Sequence, residues 1–252
     1  MRLSIKIVSP LGETPNPMLF EDRFDAARKL APLLDHYKGA PDTILVAIPR
    51  GALEIGYELA RLLKLPLDIV VTKKIPAPGN EEYAIGALSP DGKVLFNEYA
   101  VNAYGISEAY RKKVSAKLLK EIHERYKRYR GTEELPSFKG KTVLLLDDGI
   151  ATGFTVKAAI QYLKRAGVIK VVVAVPVAAK ESAQEIEHLA DEFICYAKPE
   201  DFMAVAQFYR FFPQVSDKQK NISKKPMKYR KMAKNSPNLI LQNIYKVCLS
   251  HL

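Results

Sequence analysis

Residues Val143–Ala159 read VLLLDDGIATGFTVKAA, and the order of residue types in this stretch decides the fold. An apolar run, Thr142–Leu146, has the length and composition of a buried strand. Asp147, Asp148 and two glycines follow, and then Thr155–Ala166 carries apolar residues at helical spacing until Gly167 closes it. The same alternation continues outward. Lys170–Val177 predicts a strand, Ser182–Ala190 a helix and Glu192–Tyr196 a short strand. Upstream, Thr43–Ile48 (TILVAI) predicts a strand, Pro49-Arg50-Gly51 a turn, Ala52–Leu63 a helix and Leu67–Thr72 another strand. Strands alternating with helices predict an α/β fold, a mostly parallel central sheet flanked by helices on both faces.

The remaining segments decorate that core. Phe20–His36 has helical spacing, with Pro32 interrupting its last turn. Ser107–Arg130 predicts a long charged helix capped by Ser107, with Val114, Leu118, Ile122 and Tyr126 as its apolar stripe. Lys73–Asn80 reads as a glycine- and proline-rich loop running on through Glu81–Gly86, and Ala87–Phe96 as a hairpin.

The chemistry lies where the strand Thr142–Leu146 ends. Open α/β sheets bind ligands at the carboxyl ends of their strands, and Asp147 and Asp148 are delivered there. Gly149 and Gly153 permit tight turns. The amides of Ala151–Thr155, with the Thr152 and Thr155 hydroxyls, can cradle a phosphate at the positive end of the following helix. Two carboxylates would repel a lone anion, so they suit sugar hydroxyls or a bound magnesium ion. A plain strand-to-helix turn with capping acids is the simpler reading. The full order of strand, paired acids, ATG and threonine favours phosphate binding. Neither GxxxxGK[ST] nor GxGxxG occurs, which excludes those two phosphate-binding patterns.

The segment LLLDDGIATGFT resembles the signature of the type I phosphoribosyltransferase family. That resemblance implies a Rossmann-like fold with a small hood, and a magnesium-dependent transfer from phosphoribosyl diphosphate to a nitrogenous acceptor. It assigns Asp147 and Asp148 to the ribose hydroxyls, directly or through metal-bound water. It assigns the loop Gly149, Ile150, Ala151, Thr152, Gly153, Phe154 and Thr155 to the ligand, with Ala151–Thr155 on the 5-phosphate. Pro49, Arg50 and Gly51 resemble the family's diphosphate loop. The Lys73–Gly86 segment resembles its mobile loop, in which Lys74 or Lys73 could reach the diphosphate and Glu82 could assist proton transfer. More narrowly, KIPAPGNEEYAIGAL resembles a subgroup of largely uncharacterised phosphoribosyltransferase-domain proteins, and the resemblance runs over Phe20–Asp217. Purine-salvage enzymes of the hypoxanthine-guanine type carry an acid where this chain has Ala151, so any acid or base must stand elsewhere.

Composition narrows the alternatives. Of a net charge of +11 over 252 residues, Asp217–Leu252 holds nine Lys or Arg against one Asp, so most of the excess is in the tail. The expected division is therefore a phosphoribosyltransferase-like domain over 1–216 and a lysine-rich extension over 217–252. A nucleic-acid partner is expected only through that extension. Cys195 and Cys248 lack metal spacing, as do His36, His123, His188 and His251. With no long apolar run, neither a membrane span nor a secretory signal is expected, and the location expected is cytoplasmic. The resemblance also implies a homodimer. The hood is expected from Met1–Pro17 and Pro199–Val215, where Phe202, Phe208, Tyr209, Phe211 and Phe212 could either stack on a base or pack. A non-catalytic module that senses phosphoribosyl diphosphate or a nucleotide, and a hydrolase of phosphorylated sugars, are the competing functions.

Overall fold

The computed structural model describes residues 6–7 and 18–214, with backbone alone at 6, 7, 81 and 82. The expected tail over 217–252 and nearly all of the Met1–Pro17 arm lie outside the described residues.

Strand β1 (Lys6–Ile7) precedes helix α1 (Arg23–Leu30), capped by Asp22, whose carboxylate accepts from the Asp25 amide at 2.7 Å. The helix expected to reach His36 changes at Ala31 into a 3-10 helix, Ala31–Tyr37. Pro32 is the reason: it has no N–H to offer the Arg28 carbonyl, and its ring crowds that carbonyl. Then come β2 (Thr43–Ala47), α2 (Ala52–Leu63) and β3 (Leu67–Ile69), shorter than the expected Leu67–Thr72.

Lys73–Leu88 is not a loop. It forms β4 (Lys73–Ala77) and β5 (Asn80–Leu88), an antiparallel hairpin turning at Pro78-Gly79, where Gly79 has φ +73°. Pro76 sits at a register shift, where a residue lacking an N–H is tolerated in a strand. Strand β6 (Val94–Phe96) pairs with β5 and completes a three-stranded antiparallel sheet. A Cβ on Gly86 would lie 2.4 Å from the Leu95 carbonyl oxygen, so this pairing depends on glycine.

Helix α3 (Glu98–Ala103), capped by Asn97, was not foreshadowed by periodicity. Helix α4 (Glu108–Arg130) has Ser107 as its cap and buries Leu118, Ile122, Tyr126 and Tyr129. The rest alternates as expected: β7 (Thr142–Leu146), α5 (Phe154–Arg165), β8 (Lys170–Val177), α6 (Lys180–Leu189) and β9 (Glu192–Ala197).

The central sheet is parallel throughout, in the order β1-β9-β8-β7-β2-β3. Both of its faces are covered, so alternate residues along one strand enter different cores. Leu144 and Leu146 pack with Leu45, Ala47 and the α2 residues Leu53 and Leu59. Val143 and Leu145 pack with Val171, Val173 and the α5 residues Val156 and Ile160. The chain runs outward from β7 through β8 to β9 on one side, and from β2 to β3 on the other. The boundary between β7 and β2 is thus the topological switch point, where a crevice opens beyond the strand ends.

The rim of that crevice is closed by two distant segments. The Leu19 and Phe20 amides donate to the Phe208 carbonyl, and the Arg210 amide donates to the Phe20 carbonyl. Phe20, Phe208 and Tyr209 are buried together, which supports packing for those aromatics. Phe211 is exposed and Phe212 half-buried. Among the described residues, no helix is long and apolar enough to cross a membrane.

Candidate functional site

Strand β2 leads into Ile48, and Pro49-Arg50-Gly51 turns the chain into α2 through a cis Pro49–Arg50 peptide. Strand β7 is followed by Asp147 and Asp148, and Gly149–Gly153 turns the chain into α5. The two turns lie side by side and line one cleft of about 310 Å³, together with Thr72, Lys74, Thr155, Val205 and Phe212. Residues about 100 positions apart in the sequence therefore face a single ligand-sized space.

The second turn is fixed from behind and open in front. The Ile150 amide donates to the Val177 carbonyl at 2.9 Å, and the Ile150 carbonyl accepts from the Ala179 amide at 2.8 Å. The Ser182 hydroxyl donates to the Ala151 carbonyl. Gly153 reaches φ +70°, a conformation that glycine adopts without a Cβ penalty. Among the described residues, the amides of Ala151, Thr152, Gly153, Phe154 and Thr155 have no protein acceptor. They gather at the positive end of α5, where backbone N–H groups favour an anion.

The acids are tightly placed. The Asp148 amide donates to Asp147 Oδ1 at 2.9 Å. Burial, then the neighbouring Asp148 charge, pushes the Asp147 carboxyl well above the usual carboxylate range. Asp148 Oδ2 accepts from Arg23 Nε at 2.8 Å, and the Asp148 carbonyl accepts from the Tyr209 hydroxyl at 2.7 Å. A Cβ on Gly51 would stand 1.8 Å from Asp148 Oδ2, so the turn after β2 admits only glycine beside that carboxylate. Behind them Glu54 is buried near Arg23, and burial pushes its carboxyl up to about 7 despite the opposing guanidinium.

Strand alternation separates the two lysines of β4. Lys74 lines the cleft. Lys73 points away and pairs with Glu121 on α4 at 2.6 Å. Glu82 has its backbone on β5, and its side chain lies outside the described residues. Every other expected site residue contributes to the cleft lining or to the turn itself, Phe154 as the first residue of α5.

Several cleft residues were not expected. Thr72 is buried, and its hydroxyl has no hydrogen-bond partner although the residue lines the cleft. Val205 in the cleft wall and Arg23 and Glu54 behind it were also missed, while Tyr209, expected to stack on a base or to pack, packs and supports the Asp148 carbonyl. Arg23 did leave a signal: it shares the apolar stripe of α1 with Ala26, Ala27 and Leu30, where a charge must find a buried partner.

The family model for the phosphoribosyl transferase domain matches residues 21–210. The chain belongs to that family. The match contains both turns, Lys74, Thr72 and Arg23. Two relatives from strains of Mycobacterium tuberculosis, each named "Putative phosphoribosyl transferase", are 38% identical over 200 residues, covering 79% of this chain. That alignment covers 45% of each relative, so the chain spans about half their length. A crystal structure of a Thermus thermophilus protein is 36% identical, with a TM-score of 0.65, covering 79% of this chain and 94% of that one. The type I phosphoribosyltransferase fold expected from the sequence is the fold observed.

Proposed function

We propose that this chain transfers a 5-phosphoribosyl group from phosphoribosyl diphosphate to a nitrogenous acceptor, with release of diphosphate. The observation that carries this reading is the convergence of both turns and Lys74 on one cleft at the switch point of the sheet. The amides of Ala151–Thr155 and the Thr152 and Thr155 hydroxyls take the 5-phosphate. Asp147 and Asp148 accept from the ribose hydroxyls. Pro49-Arg50-Gly51 and Lys74 receive the diphosphate, Lys74 as a point charge and Arg50 through charge-assisted hydrogen bonds. The unpartnered Thr72 hydroxyl adds a hydrogen bond to the same ligand.

The donor set fits magnesium in a particular way. Among the described residues, no cluster of three or more His, Cys, Asp or Glu could hold a metal by itself. Asp147 and Asp148 offer two carboxylates, one of them already engaged by Arg23. Such a site suits an ion that keeps water and takes oxygens from the substrate's phosphates and hydroxyls. Bound there, magnesium would neutralise charge on the departing diphosphate.

In the transfer, the bond between C1 of the ribose and the diphosphate oxygen breaks, and diphosphate leaves with the electron pair. The acceptor nitrogen bonds to C1 and gives up its proton, for which Glu82 is the proposed base. Arg50 and Lys74 stabilise charge on the leaving group, while the acids hold the sugar in place. A homodimer and a cytoplasmic location, implied by the resemblance and by composition, are kept as parts of this proposal.

The test is to screen purines, pyrimidines and amines for magnesium-dependent release of diphosphate from phosphoribosyl diphosphate. Release stimulated by one acceptor class supports transfer. Tight binding with no release in any acceptor series would favour a sensing module instead.

A further inference from the structure

We propose that Arg23 is a positioning residue of this cleft, fixing the Asp148 carboxylate so that one oxygen is held from behind and the other is left for the sugar. The inference rests on the reading of Asp148 as a ribose contact.

The guanidinium of Arg23 is almost fully enclosed, its side chain 4% exposed. Its Nε donates to Asp148 Oδ2 at 2.8 Å, and its Nη1 donates to the Pro213 carbonyl at 3.0 Å. Nη1 also faces Glu54 Oε2 at 3.5 Å. The guanidinium carbon lies over the Phe212 ring, 3.8 Å from its centroid. One side chain thus touches a cleft carboxylate, a buried acid behind it, and the aromatic residue that forms part of the cleft wall.

A buried ion pair is often no more than a feature of packing. Three observations point further here. Asp148 is not wholly enclosed, since it lines the cleft, so its partner sets the orientation of a group that meets ligand. Asp148 is held at both ends: Arg23 donates to Oδ2, the Tyr209 hydroxyl donates to the backbone carbonyl, and Gly51 lies so near Oδ2 that a methyl group there would find no room. Outer partners of this kind commonly set the geometry of the groups that touch the ligand. Finally, one guanidinium donates from two nitrogens to separate partners while its carbon lies over an aromatic ring, which a lysine ammonium cannot reproduce. Arg23 also places a positive charge behind two adjacent acids in a cleft built for an anionic substrate.

The experiment is a double-mutant cycle of Arg23→Gln and Asp148→Asn, read as affinity for phosphoribosyl diphosphate with magnesium by calorimetry. Inorganic diphosphate serves as the probe that the cleft is folded. If Arg23 acts through Asp148, each single variant weakens binding on the order of 10–100-fold. The double variant is then no weaker than Asp148→Asn alone, because the interaction has already been lost. Losses that multiply in the double variant would overturn the inference, as would wild-type affinity in Arg23→Gln. In either case a weakened Asp148→Asn would leave the proposed function standing. Undiminished binding by Asp148→Asn would instead remove the ribose contact and this inference together. Should Arg23→Gln fail to bind diphosphate or to fold, Arg23→Lys takes its place in the cycle. It keeps the charge and loses the fork, and the same non-multiplying loss is expected.

Discussion

Two clusters of charge sit at opposite ends of the parallel sheet, and they are built on different terms. At the amino ends of the strands, Glu192 Oε2 accepts from the Tyr37 hydroxyl at 2.6 Å and from Lys170 Nζ at 2.6 Å. Lys170 also donates to the Tyr37 hydroxyl at 2.7 Å. Burial alone would raise the Glu192 carboxyl, but these hydrogen bonds outweigh it and hold the group below its ordinary range. At the carboxyl ends, burial and a neighbouring acid push Asp147 up, Glu54 rises to about 7, and Thr72 buries a hydroxyl without a partner. The first cluster completes itself. The second is left incomplete by the protein alone, as expected of a site whose missing partners belong to a ligand.

The comparison can be broken most sharply at Asp148. Asp148→Asn is expected to lower the affinity for magnesium and phosphoribosyl diphosphate by roughly 10–100-fold, the value of one or two hydrogen bonds to a charged group. Calorimetry on the variant checks it, and an unchanged affinity would erase the difference between the two ends. Gly51→Ala comes next. Its Cβ must displace the Asp148 carboxylate, so a stability cost of about 1–3 kcal/mol is expected together with weaker ligand binding. Denaturant unfolding beside ligand titration would show whether both losses occur.

The two ends should also answer pH with opposite signs. Glu54 binds its proton more tightly when folded, about 7 against a reference of 4.5, so it lowers stability as pH rises through that window. Glu54→Gln should flatten that slope, a difference of about 3 kcal/mol between the ends of the window, seen by denaturant unfolding at several pH values. Glu192 behaves in reverse: its contribution is present above the ordinary carboxylate range and is lost as pH falls through its depressed value. The smallest effect expected is that of Tyr37→Phe, about 1 kcal/mol of stability with ligand affinity unchanged. A loss of affinity there would mean that the ends are coupled.

Much of the central architecture was legible because its signals are local. TVLLL, DDG and the helical spacing after Gly153 each depend on neighbours within a few positions, and so do β2, α2 and β8. The hairpin of β4 and β5 was misread because Pro76 and Pro78 argue against strands. One sits at a register shift and the other in the turn, where neither costs a ladder bond. The cleft's inner supports were hidden for a different reason. Arg23 meets Asp148 across 125 positions and Tyr209 meets it across 61, and no local pattern encodes such a meeting. Only the charge on the apolar stripe of α1 hinted that a buried partner was needed. The two β4 lysines could not be told apart by composition. Strand alternation did so, turning Lys74 to the cleft and Lys73 to Glu121.

The claim that the bend after β7 grips a sugar phosphate is tested most directly by backbone amide NMR during titration with phosphoribosyl diphosphate and magnesium. The amides of Ala151, Thr152, Gly153, Phe154 and Thr155 should shift most strongly and saturate together, with Gly51 following. Saturable binding that leaves those five amides unmoved would contradict the account.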